Sequence, residues 1–98
     1  MEIQIQAIHF NADEKLEAFL KEKLNKLSQF YDNIIGAEVF LKIDKAKTNG
    51  NKVVDIRLNI PGKDVFAAKQ ADSFEKAGDE AVEALRKQII KHKEKALA

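Results

Sequence analysis

The sequence predicts an α+β fold whose elements follow the order β-α-β-β-β-α. Four segments alternate apolar and polar residues with the period of two that a half-buried strand shows. Two longer segments repeat apolar residues every three or four positions, which is typical of a helix with one buried side. Because every element has one apolar side, we expect a four-stranded sheet with both helices packed on one of its faces.

The alternation places the strands at residues 3–7, 37–44, 54–60 and 65–71. Asn49-Gly50 lies in a lysine-rich loop between the second and third strands, and Pro61-Gly62 forms the turn into the fourth. These connections favour an antiparallel meander of strands two to four. The first helix is expected to make a right-handed crossover, which would place the first and second strands side by side and parallel.

The first helix begins after Asn11 or Asp13, either of which is a suitable N-cap, and continues to Phe30. Its apolar positions recur at helical spacing and are Leu16, Phe19, Leu20, Leu24 and Leu27. The opposite side is almost wholly charged, which is the pattern of a helix that covers a core and exposes its other side to water.

The last helix extends from an N-cap at Asp72 or Ser73 to the end of the chain, and Asp72 with Glu75 resembles a capping box. Its apolar stripe consists of Phe74, Ala77, Ala81, Val82, Leu85 and Ile89. Gly78 interrupts this side at a cost of about 1 kcal/mol relative to alanine. The glycine indicates close packing against the sheet or the first helix, with a kink as the alternative. No apolar stripe remains from about Lys93, so we expect the helix to fray there.

The composition describes a single domain, spanning 1–98, with an ordinary share of hydrophobic residues (45%) and charged residues (34%). The 17 basic and 16 acidic residues leave a net charge of +1, so any electrostatic argument depends on where the charges lie. The absence of cysteine excludes disulfides and thiolate metal sites. Because the sequence shows neither a signal peptide nor the ~20 apolar residues of a membrane span, we expect a cytoplasmic protein with no membrane partner.

Residues that could support catalysis or bind a metal are scattered along the chain. His9 and His92 are the only histidines, and neither has a second ligand at metal-binding spacing. The glycines are isolated, so no phosphate-binding loop exists, and neither serine has a neighbouring base for nucleophilic catalysis. We therefore expect a protein that is not an enzyme and uses no cofactor, metal or small-molecule substrate.

The clearest local feature is an excess of basic residues in the final turns of the last helix, namely Arg86, Lys87, Lys91, Lys93 and Lys95. The spacing of Arg86, Lys87, Lys91 and Lys95, close to one helical turn, predicts a stripe along one side. Lys21, Lys23 and Lys26 could share this surface if both helices cover the same face of the sheet. Two interpretations remain open, because cations suit the negative end of a helix dipole and also bind the phosphates of RNA. The predominance of lysine over arginine favours contact with phosphates over reading of base edges.

Three segments follow one another in an order that resembles a known family. Residues 27–32 read Leu-Ser-Gln-Phe-Tyr-Asp at the end of the first helix, and residues 39–42 read Val-Phe-Leu-Lys in the second strand. The segment 85–95 keeps the most specific register, formed by Gln88, Lys91, His92, Lys93 and Lys95. Over essentially its full length the chain resembles the short ribosome hibernation promoting factor and ribosome-associated inhibitor family, the sigma-54 modulation proteins.

The resemblance implies a fold similar to double-stranded RNA-binding domains and a partner in the small ribosomal subunit and its ribosomal RNA. Such a protein would enter the decoding groove during stress or stationary phase and exclude mRNA and tRNA from the A and P sites. The mechanism would be steric and held by charge, without catalysis. The expected RNA-binding residues are Lys23, Lys26, Arg86, Lys87, Lys91, His92, Lys93 and Lys95.

The sequence departs from the family pattern in the first half of the last helix. Ser73, Phe74 and Glu75 replace the usual aspartate, apolar residue and tyrosine, while Gly78 and Ala84 stand at positions that are commonly aliphatic and lysine. These departures shift the expected RNA contact towards the last turns. We expect a short form, without the C-terminal domain with which long members pair two ribosomes and without the acidic tail of the inhibitor branch. If such a form promotes ribosome dimers, we expect it to do so together with another protein.

An alternative hypothesis concerns the open face of the sheet, the face that the helices are not expected to cover. Phe40 and Phe66 fall on that face, and exposed aromatic residues mark a protein-protein interface when they form a contiguous patch. A protein interaction module is therefore the alternative to ribosome binding. An uncharacterised enzyme is the weakest hypothesis, because the sequence offers no nucleophile, metal site or phosphate loop.

Overall fold

A computed structural model describes the backbone of residues 1–97 and the side chains of residues 1–94. The elements are β1 (Glu2–Ala7), α1 (Glu14–Phe30), β2 (Gly36–Ile43), β3 (Lys52–Ile60), β4 (Lys63–Ala71) and α2 (Phe74–Leu97). The sheet order is β1-β2-β3-β4, with β1 parallel to β2 and the other neighbours antiparallel. The predicted fold class, element order and strand pairing are confirmed, while the likeness to double-stranded RNA-binding domains remains a prediction.

The strand register separates an apolar face from a polar one. Ile5, Val39, Ile56 and Ala67 form one row across all four strands, and the last three of these residues are buried beneath the helices. The next row along, Gln4, Glu38, Arg57 and Phe66, lies on the open face. Because side chains alternate along a strand, this register buries the apolar set of each strand together. Val65, Ala67 and Ala71 form the buried side of β4.

Helix α1 begins at Asp13, whose carboxylate accepts a hydrogen bond of 2.7 Å from the main-chain N–H of Leu16. Of the two predicted N-caps, Asp13 is therefore the one used. The buried residues of the helix are Leu16, Leu20, Leu24 and Leu27, as their spacing predicts. They join the buried strand residues in a single hydrophobic cluster.

Helix α2 begins after Ser73, whose hydroxyl accepts a hydrogen bond of 3.1 Å from the N–H of Lys76. The predicted pairing of Asp72 with Glu75 is wrong, because Asp72 accepts a hydrogen bond of 2.6 Å from the N–H of Gly50. Gly50 has a φ of 59°, a conformation that glycine adopts without strain. The carboxylate thus ties the β2–β3 loop to the start of α2. Helix α2 continues to Leu97, and the fraying expected from Lys93 remains a prediction.

The two helices run in the same direction, since contacts join their first turns and also their last turns. Phe10, just before α1, stacks on Phe74 with 5.2 Å between ring centroids. Tyr31, just after α1, meets His92 edge-on with 6.4 Å between centroids. The parallel arrangement brings the C-terminal end of α1 next to the last turns of α2, where basic residues are concentrated.

Gly78 lies in close contact with α1. A Cβ atom at this position would lie 2.5 Å from Cδ2 of Leu20, a distance that real Cβ contacts essentially never show. Both residues are buried. Of the explanations that the sequence left open, close packing against the first helix is the one the structure supports, and α2 is continuous through this position.

Candidate nucleic-acid interface

The polar side of α2 changes sign along its length. Residues 74–84 contain four acids and one base, Lys76, whereas residues 85–97 contain five bases and one acid, Glu94. Both halves complement the helix dipole, which is positive at the N-terminus and negative at the C-terminus. Dipole complementarity alone therefore accounts for the direction of the change. It does not account for side chains that extend into water without an intramolecular partner.

The basic residues of α2 fall into two rows rather than the single stripe that their spacing predicts. Residues seven apart lie on nearly the same side of a helix, which aligns Asp79, Arg86 and Lys93. Asp79 and Lys93 both contact α1, so this row faces α1. Lys87 and Lys91 lie further around the helix towards β4, where Gln88 donates a hydrogen bond of 2.8 Å to the main-chain carbonyl of Phe66.

Lys87 and Lys91 are the most available cations of this surface. Both side chains are exposed. Within residues 1–94, no carboxylate lies close enough to either ammonium to form an ion pair. An exposed ammonium without a partner keeps its three donors for a phosphate. The structure therefore places these two predicted RNA-binding residues where an RNA backbone could contact them.

Arg86 is engaged by its own helix. Its Nε and Nη2 atoms donate hydrogen bonds to the carboxylate of Glu83, with 3.0 Å between Nε and Oε2. These hydrogen bonds from Arg86 lower the pKa of Glu83, while those to Glu83 raise the pKa of Arg86. Both groups therefore stay charged at neutral pH, and the local charge of the pair is close to zero. Arg86 is a weaker candidate for RNA contact than its position predicts.

Lys93 packs on the end of α1. Its Nζ lies 5.1 Å from the ring centroid of Phe30 and 5.9 Å from that of Tyr31, and 3.5 Å from the carbonyl oxygen of Phe30. The last turn of α1 contains no basic residue of its own. The ammonium from α2 thus supplies the positive charge that stabilises a helix C-terminus. Lys93 has a structural role in addition to any contact with RNA.

His92 is half-buried between its neighbours rather than directed into solvent. Its ring contacts Tyr31 edge-on, and Tyr31 also packs against the hydrophobic cluster. An edge-to-face aromatic pair of this kind contributes about 0.5–1.5 kcal/mol beyond the area it buries. The structure therefore gives His92 a packing role, and its predicted contact with RNA remains a prediction.

The candidate residues of α1 lie on the side that faces α2. Lys23 forms an ion pair of 3.1 Å with Asp79, whereas Lys26 is exposed and only loosely paired with Glu22 at 3.8 Å. Lys21 lies two residues from Lys23 and therefore faces away from α2. Lys26 is the more available of the two predicted residues. Lys95 belongs to α2, but its side chain lies outside the described residues.

The open face of the sheet does not form an apolar patch. Phe40 on β2 and Phe66 on β4 are separated by β3, which places Asp55 and Arg57 between them. Asp55 also forms an ion pair of 2.6 Å with Lys42. Charged residues therefore interrupt the two rings, and the contiguous surface that a docking face requires is missing from this part of the sheet.

The described part of the chain contains no group of histidine, cysteine, aspartate or glutamate residues that could hold a metal ion. The helices in the described residues include none long and apolar enough to cross a membrane. The sequence did not reveal the contact of Lys93 with Phe30 or the pair of Lys23 with Asp79. No local pattern in the sequence indicates that these residues meet, because each pair joins two different helices.

The structure thus combines a four-stranded mixed sheet with two parallel helices, and its basic residues are concentrated in the last turns of α2. Residues 3–96 match the family described as sigma 54 modulation protein / S30EA ribosomal protein, and the chain belongs to that family. The resemblance read from the sequence is therefore confirmed.

Relatives and solved structures agree with this family. The chain is 30% identical over 95 residues to a protein of Pseudomonas putida named ribosome hibernation promoting factor, a match covering 97% of this chain and 89% of the relative. It is 28% identical to the protein of that name from Escherichia coli, over 97% and 96% of the two chains. A ribosomal subunit interface protein from Coxiella burnetii has a TM-score of 0.85 and 26% identity, over 95% and 98%. The N-terminal domain of Protein Y from Thermus thermophilus, with a TM-score of 0.78 and 22% identity, shows the same fold.

Proposed function

We propose that this protein is a ribosome hibernation factor that binds the decoding groove of the small ribosomal subunit and sterically blocks mRNA and tRNA. Membership of the family and the names of the relatives support association with ribosomes. One observation carries the more specific part. Lys87 and Lys91 are exposed cations without an ion-pair partner in the described residues, at the end of the molecule where both helices terminate.

The proposed mechanism depends on charge and shape. Lys26, Lys87 and Lys91 would contact phosphates of the ribosomal RNA, and the body of the domain would occupy the space that mRNA and tRNA need. No bond is made or broken in this mechanism, and no cofactor takes part. We place the protein in the cytoplasm, where ribosomes translate, as a single ribosome-binding domain that silences translation under stress.

The test is cosedimentation with purified small ribosomal subunits at increasing salt concentration. We expect binding that weakens steadily as salt rises, because each neutralised phosphate contributes to the salt dependence. Combined Lys87→Glu, Lys91→Glu and Lys95→Glu should lower the affinity by about 100-fold or more. Thermal stability should change by only about 0.5 kcal/mol per substitution, because the first two of these lysines are exposed.

The matched control reverses three exposed lysines away from the C-terminal ends of the helices, namely Lys15, Lys45 and Lys47. It changes the net charge by the same amount, so it separates a local interface from general attraction between a protein and RNA. The proposal requires near-normal binding by the control. Equal loss of binding in both triple variants would show that the assigned surface is wrong. Binding that does not depend on salt would show that phosphate contacts do not hold the complex. Added mRNA and initiator tRNA should compete with the wild-type protein.

The protein interaction module is not favoured by the geometry of the open face, because charged residues of β3 separate the two phenylalanines that suggested it. A stable protein partner recovered after nuclease treatment, and lost on replacement of Phe40 and Phe66, would be needed to restore that hypothesis.

A further inference from the structure

Phe30 is an exposed aromatic residue that the packing of the protein does not explain. It is the last residue of α1 and is 41% exposed. Its neighbours Leu27 and Tyr31 both pack on the hydrophobic cluster, whereas Phe30 belongs neither to that cluster nor to the residues packed against it. An exposed phenyl ring at the edge of a charged surface is more informative than one within a core.

Lys93 places its Nζ 5.1 Å from the centroid of this ring. Lys26 lies one turn earlier on the same side of α1, and further along that helix Lys23 lies over the ring of Phe19 at 5.4 Å. Two rings and two lysines of α1 therefore lie near one another, in the order Phe19, Lys23, Lys26 and Phe30. Aromatic rings close to lysines are found on surfaces that bind unpaired nucleotides, because rings stack on the bases and ammonium groups contact the phosphates.

We propose that Phe30 is a stacking platform for an unpaired RNA base, with Lys26 and Lys93 holding the adjacent phosphates. The proposal rests on the proposed function, because it assigns a further contact within the same RNA interface. Unpaired bases in loops and at strand ends are accessible to aromatic side chains, whereas bases within a duplex are already stacked. The platform therefore takes a single-stranded segment and is indifferent to the identity of its bases.

Lys93 can donate hydrogen bonds to a phosphate while its ammonium stays over the ring of Phe30. Its only described hydrogen bond, to the carbonyl of Phe30, has a length of 3.5 Å, which is at the outer limit for such a contact. An ammonium has three donors, so at least two remain for phosphate oxygens. The nucleotide would therefore meet a ring for its base and a positive charge for its phosphate within one short stretch of surface.

The surroundings of Phe30 favour a nucleotide over a peptide. A peptide-binding groove presents a contiguous apolar lining, whereas the groups next to this ring are ammonium groups. An acidic peptide would satisfy the lysines but would leave the ring face without a stacking partner. A nucleotide, which joins a phosphate to a planar base, uses both features.

Tryptophan fluorescence gives a direct test, because the natural chain contains no tryptophan. Phe30→Trp introduces a single indole at the proposed platform, and Phe66→Trp introduces one at an exposed ring on the open face of the sheet. The probe is an oligouridylate decamer, with its binding followed independently by the anisotropy of an attached dye. We expect the decamer to quench the indole of Phe30→Trp and to leave that of Phe66→Trp unchanged.

Two further ligands separate stacking from charge. An abasic decamer has the same phosphates without bases, and a polyglutamate decapeptide has charge without phosphates or bases. Neither should quench the indole of Phe30→Trp. Quenching by the abasic decamer or by the peptide that equals quenching by oligouridylate would overturn the stacking platform. Failure of the oligouridylate to bind, or its binding without quenching of the indole, would also overturn the stacking platform.

Measurements of ribosome binding distinguish an error in the stacking platform from an error in the proposed function. Phe30→Leu should weaken the affinity for purified small subunits by about tenfold, and Phe66→Leu by less than about twofold. A thermal melt of each variant shows whether the fold is retained. If wild type binds and Phe30→Leu binds equally well, the platform is wrong and the proposed function stands. If the wild-type protein does not bind small subunits, the stacking platform and the proposed function are both wrong.

Discussion

The first half of α2 (residues 74–84) and its second half (residues 85–97) bury apolar residues against the same core, but their polar sides differ in charge and in partners. In the first half, Asp79 pairs with Lys23, and Gly78 allows close contact with Leu20. In the second half, Lys87 and Lys91 lie exposed without an ion-pair partner among the described residues. One helix thus combines a segment that fastens the two helices together with a segment that is available to an external anion.

The difference shows why the number of charges is a poor guide to a binding surface. Both halves carry five charged residues or more. Ion pairs within the protein, such as Lys23 with Asp79 and Arg86 with Glu83, reduce the charge that a distant phosphate would experience. What distinguishes a candidate interface is the charge left over after these pairs have formed.

The largest expected effect tests the fastening role of the first half. Gly78→Ala should destabilise the protein by about 1–2 kcal/mol, because a Cβ atom collides with buried Leu20 and overpacking outweighs the gain in helix propensity. Urea unfolding measures the change. The double variant with Leu20→Val should recover part of the loss, since the two positions are in contact. An increase in stability on Gly78→Ala alone would show that the helices are less tightly packed than described.

A smaller effect tests whether the second half is free of structural roles. Lys93→Met should lower the unfolding free energy by about 0.5–1 kcal/mol, because it removes the ammonium from the C-terminus of α1 and from the ring of Phe30. The matched variant Lys91→Met removes an exposed ammonium without these contacts. It should leave the urea midpoint unchanged while weakening ribosome binding. Equal stability of the two variants would contradict the role assigned to Lys93.

The smallest effect concerns the boundary between the halves. Glu83→Gln should raise the affinity for small subunits by about two- to fivefold, because it releases Arg86 from its partner. Glu80→Gln removes the same charge without an arginine partner in the described ion pairs and should have a smaller effect. Isothermal titration with purified subunits measures both, and equal gains would show that only net charge matters.

The pH dependence of this gain follows from the pKa of Glu83, which Arg86 holds below its ordinary value. A lowered pKa keeps the carboxylate ionised above its usual titration range, and the pair is lost only as the pH falls through the lowered value. The gain from Glu83→Gln should therefore be the same at about pH 6 and pH 8. If the gain in affinity disappeared at about pH 6, a group other than Glu83 would be responsible for the pH dependence.

Local periodicity was enough to predict the elements of this fold. The alternation in β2 and β3 and the leucine spacing of α1 encode which side of each element is buried, and a two-layer arrangement follows. Contacts between distant residues were not encoded in this way. Asp72 binds Gly50, 22 positions away, rather than its helical neighbour Glu75. His9 adopts a φ of 66° after β1, which nothing in the alternation indicates.

Prediction of the candidate site met the same limit, because local features were predictable and contacts between distant residues were not. The sequence predicted which residues of α2 are basic and which end of the helix they occupy. It could not show which cations are already engaged, because Lys93 meets Phe30 from 63 positions away and Lys23 meets Asp79 from the other helix. The free cations, and the exposed ring of Phe30 beside Lys93, became visible only once the helices were placed side by side.

The most direct test of the central claim is to map the RNA next to each half of α2. The chain contains no cysteine, so Lys91→Cys and Glu80→Cys each provide a single attachment point for a hydroxyl-radical probe, one in each half. With the protein bound to small subunits, the probe at position 91 should cleave ribosomal RNA of the decoding groove strongly, and the probe at position 80 should cleave it weakly. Strong cleavage from position 80 with none from position 91, or cleavage confined to RNA outside the groove, would contradict the account.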